Sequence, residues 1–266
     1  MVGDRDLLAF RQAYYNLLVS LFWKEPTGEL IRSLLDGISE RIDAARNLEP
    51  LLAEGWQEIE QFLVQAPVEY AVEAVTDEYT RIFIGPHSPE VNPYESFYLT
   101  GCLLDRPLAN LRTHLKAIGI EKQEGYTEPE DFLAFELEVM RWLISKQMGA
   151  MNPEEEKRWL RLQSDFLKEH LLVWAPACAR DIETARGAMF YRGAAKVLGG
   201  FLGVERSLFH GWGVDRITSL EEARQHYATI PAWKGPTFDG GLSDSGSKAP
   251  LPAQENGHRE REKGGS

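Results

Sequence analysis

The side chains best suited to chemistry lie in two short stretches, "GPHSPEVNPYESFY" at 85–98 and "EPEDFLAFELEVMRW" at 128–142. In the first, Tyr94, Phe97 and Tyr98 stand beside Glu95 and Ser96. Rings next to a carboxylate suit a guanidinium, which stacks on the ring face and forks onto the carboxylate oxygens. Such a site would take an arginine-bearing peptide. Pro86, Pro89 and Pro93 could equally do no more than stiffen a crossing between helices, by lowering the entropy the chain loses on ordering. In the second stretch, a helix starting near Asp131 would align Asp131, Phe135, Glu138 and Trp142 on one face. Glu136 would then fall within the apolar stripe of Leu133, Leu137, Met140 and Ile144, where a carboxylate needs hydrogen-bond donors, a cation or a raised pKa. A purely structural alternative makes Glu128 and Asp131 caps of that helix and pairs Glu136 with Arg81 or Arg112. Composition alone leaves both readings open.

The elements that must position these residues read as helices. Leu7, Phe10, Tyr14, Leu17, Leu18 and Leu21 recur at helical spacing after Asp4 or Asp6 as cap, and "EPTG" breaks the run. Leu30 to Ile38 and Leu52 to Leu63 mark two more helices, and Pro67 opens a stripe of Val68, Val72, Val75, Tyr79 and Ile82 that stops at Gly85-Pro86. Asp105 with Pro107 starts a helix that Gly119 ends, and Asn152-Pro153 followed by three glutamates starts another. Segments around Ala177–Ala185 and Ala188–Leu202 follow, the latter rich in Ala and Gly and suited to close packing. No run of period-two alternation and no internal repeat stands out. The expected fold is all-α: one bundle of about nine or ten helices over residues 1–233, with a disordered tail at 234–266 rich in Gly, Ser, Pro and charge.

Composition narrows the function. The chain of 266 residues has 29 basic and 41 acidic side chains, a net charge of -12. The tail contributes five of each sign, so the acidity belongs to residues 1–233. That balance argues against nucleic acid as partner and suits a basic one. No apolar run reaches the roughly 18 to 20 residues of a membrane helix, and acids stand where a signal peptide would carry its basic region, so a cytoplasmic protein is expected. Cys102 and Cys178 lack metal-ligand spacing and are expected to be small buried hydrophobes. HExxH, GxSxG, a phosphate loop, GxGxxG and paired ExxH are all missing. The six histidines are scattered, none on a helical face with a carboxylate or cysteine at ligand spacing. An enzyme, a metal site and a cofactor are therefore not expected.

Four segments together resemble the TorD/DmsD/NarJ family of molybdoenzyme maturation chaperones: "AYYNLLVSLFWKEP", "DEYTRIFIGPHSPEVNPYESFY", "EPEDFLAFELEVM" and "FLKEHLLVWAPACARDIETARGAMFYRGAAKVLGGFL". The resemblance covers residues about 10 to 205. It implies an all-helical chaperone that binds the N-terminal region of a client catalytic subunit, often a twin-arginine signal peptide, and delays export until molybdopterin is inserted. The family's Gly-Pro and Pro-Tyr-Glu-Ser elements fall on Gly85, Pro86, Pro93, Tyr94, Glu95 and Ser96. Its Glu-Pro-x-Asp-His element falls on Glu128, Pro129 and Asp131, with Phe132 where many members have His.

The resemblance and the residue chemistry suggest that Glu95, Glu128 and Asp131 attract the arginines, Tyr94 and Phe97 flank them, and Phe132, Phe135 and Trp142 meet the apolar part. The expected partner is the catalytic subunit of a molybdopterin-dependent oxidoreductase, bound by a monomer or a dimer. Three other readings compete: a NarJ-like chaperone for a subunit that is not exported, a helical nucleotide-binding protein, and a permanent structural adaptor.

Overall fold

Side-chain caps fix five of the helix starts. Asp4 accepts the N–H groups of Asp6 and Leu7 at the head of α1 (Arg5–Phe22), and Thr27 caps α2 (Gly28–Leu35). α3 (Ile38–Arg46), α4 (Pro50–Leu63) and α5 (Val68–Tyr79) follow, the last running into a π-helical turn at Thr80–Ile84. α6 (Glu95–Thr100) is short, and α7 (Arg106–Ile118) runs from its Asp105 cap to Gly119 in the left-handed conformation. α8 (Leu133–Met148) precedes α9 (Pro153–Phe166), which is capped by Asn152. A second π-helical turn at Leu167–Leu171 leads into α10 (Leu172–Thr184). α11 (Phe190–Gly211) and α12 (Leu220–Thr229) complete the order, α12 with a full capping box between Ser219 and Glu222. These elements come from a computed structural model that describes residues 4–65, 67–123, 125–212 and 216–230.

The architecture is all-α, with no strand among the described residues beyond a single antiparallel bridge between Tyr94 and Phe132. The helical segments outnumber the nine or ten counted from apolar stripes, which passed over α3, α6 and α12. The domain boundary at 233 and the tail at 234–266 lie outside the described residues. Among the described residues, no helix is long and apolar enough to cross a membrane.

The glycine-rich face expected of α11 meets α4 backbone to backbone. A Cβ added at Gly55 would sit 2.6 Å from the Val197 nitrogen, and one at Gly200 would sit 2.5 Å from the Leu52 nitrogen. Only glycine permits that approach. Around it the core gathers Tyr15, Leu18, Leu21, Trp56, Tyr191, Leu198 and Phe201.

One polar network crosses this core. Arg11 on α1 is bidentate to Glu205 on α11, at 2.6 and 2.8 Å, and donates to Gln163 on α9 at 2.8 Å. Tyr15 donates to Glu205, and Gln163 donates to Gln147 on α8, each at 2.8 Å. Every one of these residues except Gln147 is fully buried, so the pair is desolvated and holds only because its lone pairs and protons are matched. The network joins α1, α8, α9 and α11. Two of these, α1 and α8, form walls of the cleft described next.

Cys178 is buried as expected, whereas Cys102 is exposed. The left-handed Gly101 that ends α6 carries Cys102 outward into the turn before α7.

Candidate functional site

Gly85 ends the π-helical turn with φ of 65°, a conformation that favours glycine, and a Cβ there would collide with the backbone of Ser88. The chain then turns through exposed Pro86 and His87 and returns to the core at Val91 and Pro93. At Tyr94 it meets the second stretch in an extended pairing. Leu133 donates its N–H to the Pro93 carbonyl and Glu95 donates to the Asp131 carbonyl, both at 2.9 Å. This pairing holds Phe132 extended, which delays α8 to Leu133, two residues later than the apolar pattern predicts.

The carboxylates at this junction turn inward. Asp131 is fully buried and accepts the Ser96 N–H at 3.0 Å, capping α6 rather than its own helix. Glu95 is equally buried and lies 3.1 Å from Nδ1 of His170. Neither faces solvent, so neither is placed to meet the arginines of a docked peptide as the sequence suggested. Burial raises the pKa of both, opposed in Glu95 by His170 and in Asp131 by the bonds from Ser96. Ser96, also buried, has no partner for its hydroxyl among the described residues.

Glu136 is where the stripe placed it, wholly buried on α8. Its partner is neither Arg81 nor Arg112: both its oxygens lie 3.1 Å from the indole nitrogen of Trp174. Arg112 binds Glu130 instead, and Arg81 binds the carbonyls of Arg186 and Gly187. With no cation to offset it, burial drives the Glu136 carboxyl well above the usual range, and the nearby Glu95 adds to the effect.

Glu128 behaves differently. It is half-buried and accepts the Tyr94 hydroxyl at 2.7 Å, while Pro129 beside it is also half-buried. The Tyr94 ring packs on Phe132 at 5.4 Å between centroids. Burial and then the charge of Glu128 raise the Tyr126 pKa; on Tyr79, burial acts first, then Glu25, then Glu128. The charges of Glu25 and Glu128 thus converge on one group of phenols.

Tyr126 of that group lines a cleft of about 710 Å³ between the C-terminal end of α1, the start of α2, the first turns of α8 and the 119–126 connection. Its apolar walls are Val19, Trp23, Leu30, Ile120, Val139 and Trp142. Trp23 and Tyr126 pack at 4.9 Å, Tyr126 and Phe135 at 5.6 Å. Glu25, Glu121 and Glu138 line it with Lys24 and Lys122. Glu138 is bound to Arg141, but no ion pair among the described residues engages Glu25, Glu121 or Glu128.

Of the residues singled out from sequence, Phe135 and Trp142 line this cleft; Glu128 lies near it, its charge acting on Tyr126, and Tyr94 joins Glu128 to Phe132. Gly85, Pro86, Pro93, Glu95, Ser96 and Asp131 shape the backbone behind it, and Phe97, half-buried, packs edge-on against Tyr98 at 6.1 Å. The residues that sequence reasoning missed are Trp23, Glu25, Leu30 and Tyr126. Trp23 and Glu25 belong to "FWKEP", where a helix that ends on an aromatic residue before a proline leaves that ring on the rim of the bundle.

A family model described as nitrate reductase delta subunit matches residues 45–180, just over half of the chain. The chain belongs to this family. It is the TorD/NarJ family of molybdoenzyme maturation chaperones, and similar curated proteins carry the name Chaperone protein TorD. The Vibrio cholerae protein is 27% identical over 201 residues, covering 72% of this chain and 88% of its own length. That of Aeromonas salmonicida is 29% identical over 172 residues, covering 65% and 74%, and that of Vibrio atlanticus 26% over 196 residues, covering 68% and 88%. These relatives are named as chaperones, not as enzymes. Phe132 is buried in an apolar position against Tyr94.

Proposed function

We propose that this chaperone binds the N-terminal, twin-arginine region of the catalytic subunit of a molybdopterin-dependent oxidoreductase and holds it back from export until the cofactor is inserted. The observation that carries this reading is the cleft: apolar walls from Trp23, Leu30, Val139 and Trp142, with the carboxylates of Glu25, Glu121 and Glu128 at or near its rim and engaged in no ion pair among the described residues. A segment of consecutive arginines followed by apolar residues needs that combination, cationic groups meeting acids and rings while the apolar part enters the walled portion. Its volume lies within the range of small-ligand sites, enough for the anchoring side chains of a peptide rather than a folded domain. The net charge of -12 adds long-range attraction for a basic segment.

Isothermal titration with a synthetic Arg-Arg-apolar peptide tests this. Glu25→Gln with Glu128→Gln should weaken binding about tenfold or more, and Trp142→Ala should do the same through the apolar end. Asp131→Asn should act on stability and leave the peptide affinity nearly unchanged. Unaltered affinity in the Glu25/Glu128 variant would remove the acidic rim from the account. A chain that ignores the peptide yet copurifies with an intact client subunit lacking such a motif would favour the NarJ-like reading.

A further inference from the structure

Away from the cleft, three side chains with metal-binding chemistry converge on the second π-helical turn. His114 of α7 places Nδ1 3.0 Å from Nε2 of His170, and 3.6 Å from a carboxylate oxygen of Glu169. All three ligand atoms lie within 4.8 Å of one another, the one such group among the described residues. Sequence spacing hides it, because His114 is 55 or more positions from the other two.

We propose that His114, Glu169 and His170 form a binding site for a divalent cation of the zinc class. Four observations carry this. First, the donor set of two imidazoles and one carboxylate, with a fourth position left to water, is one that zinc accepts. Second, two of the three separations fit: tetrahedral ligands 2.0–2.1 Å from the metal stand about 3.4 Å apart, the two contacts of His114 Nδ1 bracket that value, and the third pair lies within 4.8 Å, a gap the half-exposed Glu169 side chain can close. Third, His170 is held from behind. Its Nδ1 faces the buried Glu95 at 3.1 Å, which leaves Nε2 as the lone pair aimed at His114, and a carboxylate behind a histidine is the usual support of a metal ligand. Fourth, Phe166 packs against both imidazoles, 5.9 Å from His114 and 5.3 Å from His170, restricting their rotation.

The local backbone suits the task. Glu169 and His170 are consecutive, and a π turn splays successive side chains less than an α turn does, so both reach toward His114. Access is from solvent: the Glu169 side chain is 52% exposed and that of His114 15%, while His170 is buried at the base. Burial and the neighbouring His170 lower the His114 pKa, which favours the neutral ring that ligates. The nearby Lys168 is engaged by Asp165 at 2.6 Å. The metal would tie α7 to the turn that leads into α10.

The test is a titration of the full chain with Zn²⁺ alone, in a non-chelating buffer at neutral pH, beside His114→Ala, Glu169→Gln and, as control, His87→Ala on the exposed turn at 85–89. One saturable site of micromolar or tighter affinity is expected, with a raised melting temperature. His114→Ala should weaken it at least tenfold and Glu169→Gln severalfold, with His87→Ala unchanged. Co²⁺ should give the intense visible absorption of a tetrahedral centre, lost in His114→Ala. Where His114→Ala fails to fold by circular dichroism, Glu169→Gln, a change on a half-exposed side chain, decides alone. Absence of saturable binding, or equal affinity in the folded ligand variants and the control, would overturn the site.

Discussion

Removing Arg11 while keeping Glu205 should strand a carboxylate in the core with only the Tyr15 hydroxyl for company. Arg11→Met does this with little change of volume, and Glu205→Leu produces the converse orphan. Both residues are fully buried and joined by two hydrogen bonds, so each single change should cost about 3–5 kcal/mol. In a domain of this size each kcal/mol moves the melting temperature by about 2–4 °C, so each single variant should melt roughly 6–20 °C lower. The double variant removes both charges. Its remaining cost is the Tyr15 hydroxyl left without its acceptor and Gln163 without its donor, about 1–3 kcal/mol per unmet group. It should therefore lose about 2–6 kcal/mol, less than the about 6–10 kcal/mol of the two single losses added together, a coupling of several kcal/mol. Urea and thermal unfolding followed by circular dichroism at neutral pH would measure this. Additive losses would refute the reasoning, since they would mean that neither partner suffers from the other's absence. Because the network joins α1 to α8, a single variant should also loosen the cleft walls and lower peptide affinity in proportion to the unfolding it permits.

Glu136→Gln should stabilise the fold increasingly as pH rises. The Glu136 carboxyl is held above its ordinary value of 4.5, so its stabilising contribution is whole below that value and is lost as pH climbs through the raised one. The variant's advantage should be small at pH 4–5 and larger at pH 8, and equal advantages at both would count against a buried, cation-free acid. Gly200→Ala should cost about 1–3 kcal/mol or more by driving its new methyl into the Leu52 backbone, with a lower urea midpoint as the readout; an unchanged midpoint would mean that α4 and α11 separate freely.

What the sequence revealed depended on range. Local signals translated directly: the Asp4, Asp105 and Asn152 caps, the Gly119 stop, the buried position of Glu136 and the close-packing glycines of α11 all follow from neighbours within a turn or two. The direction a carboxylate faces is a long-range property. Asp131 and Glu95 read as acids placed to attract arginines, with a capping role for Asp131 as the alternative; both turn inward at the pairing of Tyr94 with Phe132, and no pattern within either stretch encodes that pairing. Trp174, 38 positions from Glu136, was likewise invisible as its partner. The cleft is assembled from α1, α2, α8 and a connection, so only the α8 share of it, Phe135 and Trp142, could be found by helical periodicity. The histidine cluster is the extreme case, contributed by two elements that no local spacing relates.

The backbone bridge at 93–96 and 131–133 also fixes both ends of one long stretch of chain. Residues 97–130 run between the two sides of this clamp, closed by two main-chain hydrogen bonds and the Asp131 cap, and bring Leu111, Leu115 and Ile118 of α7 into the core. Loop closure costs little more for a longer excursion than for a shorter one. A lineage can therefore vary the length of the 120–126 connection, one side of the cleft, while the opposite wall from α1 and α8 stays in register. Client preference can diversify there without renegotiating the core.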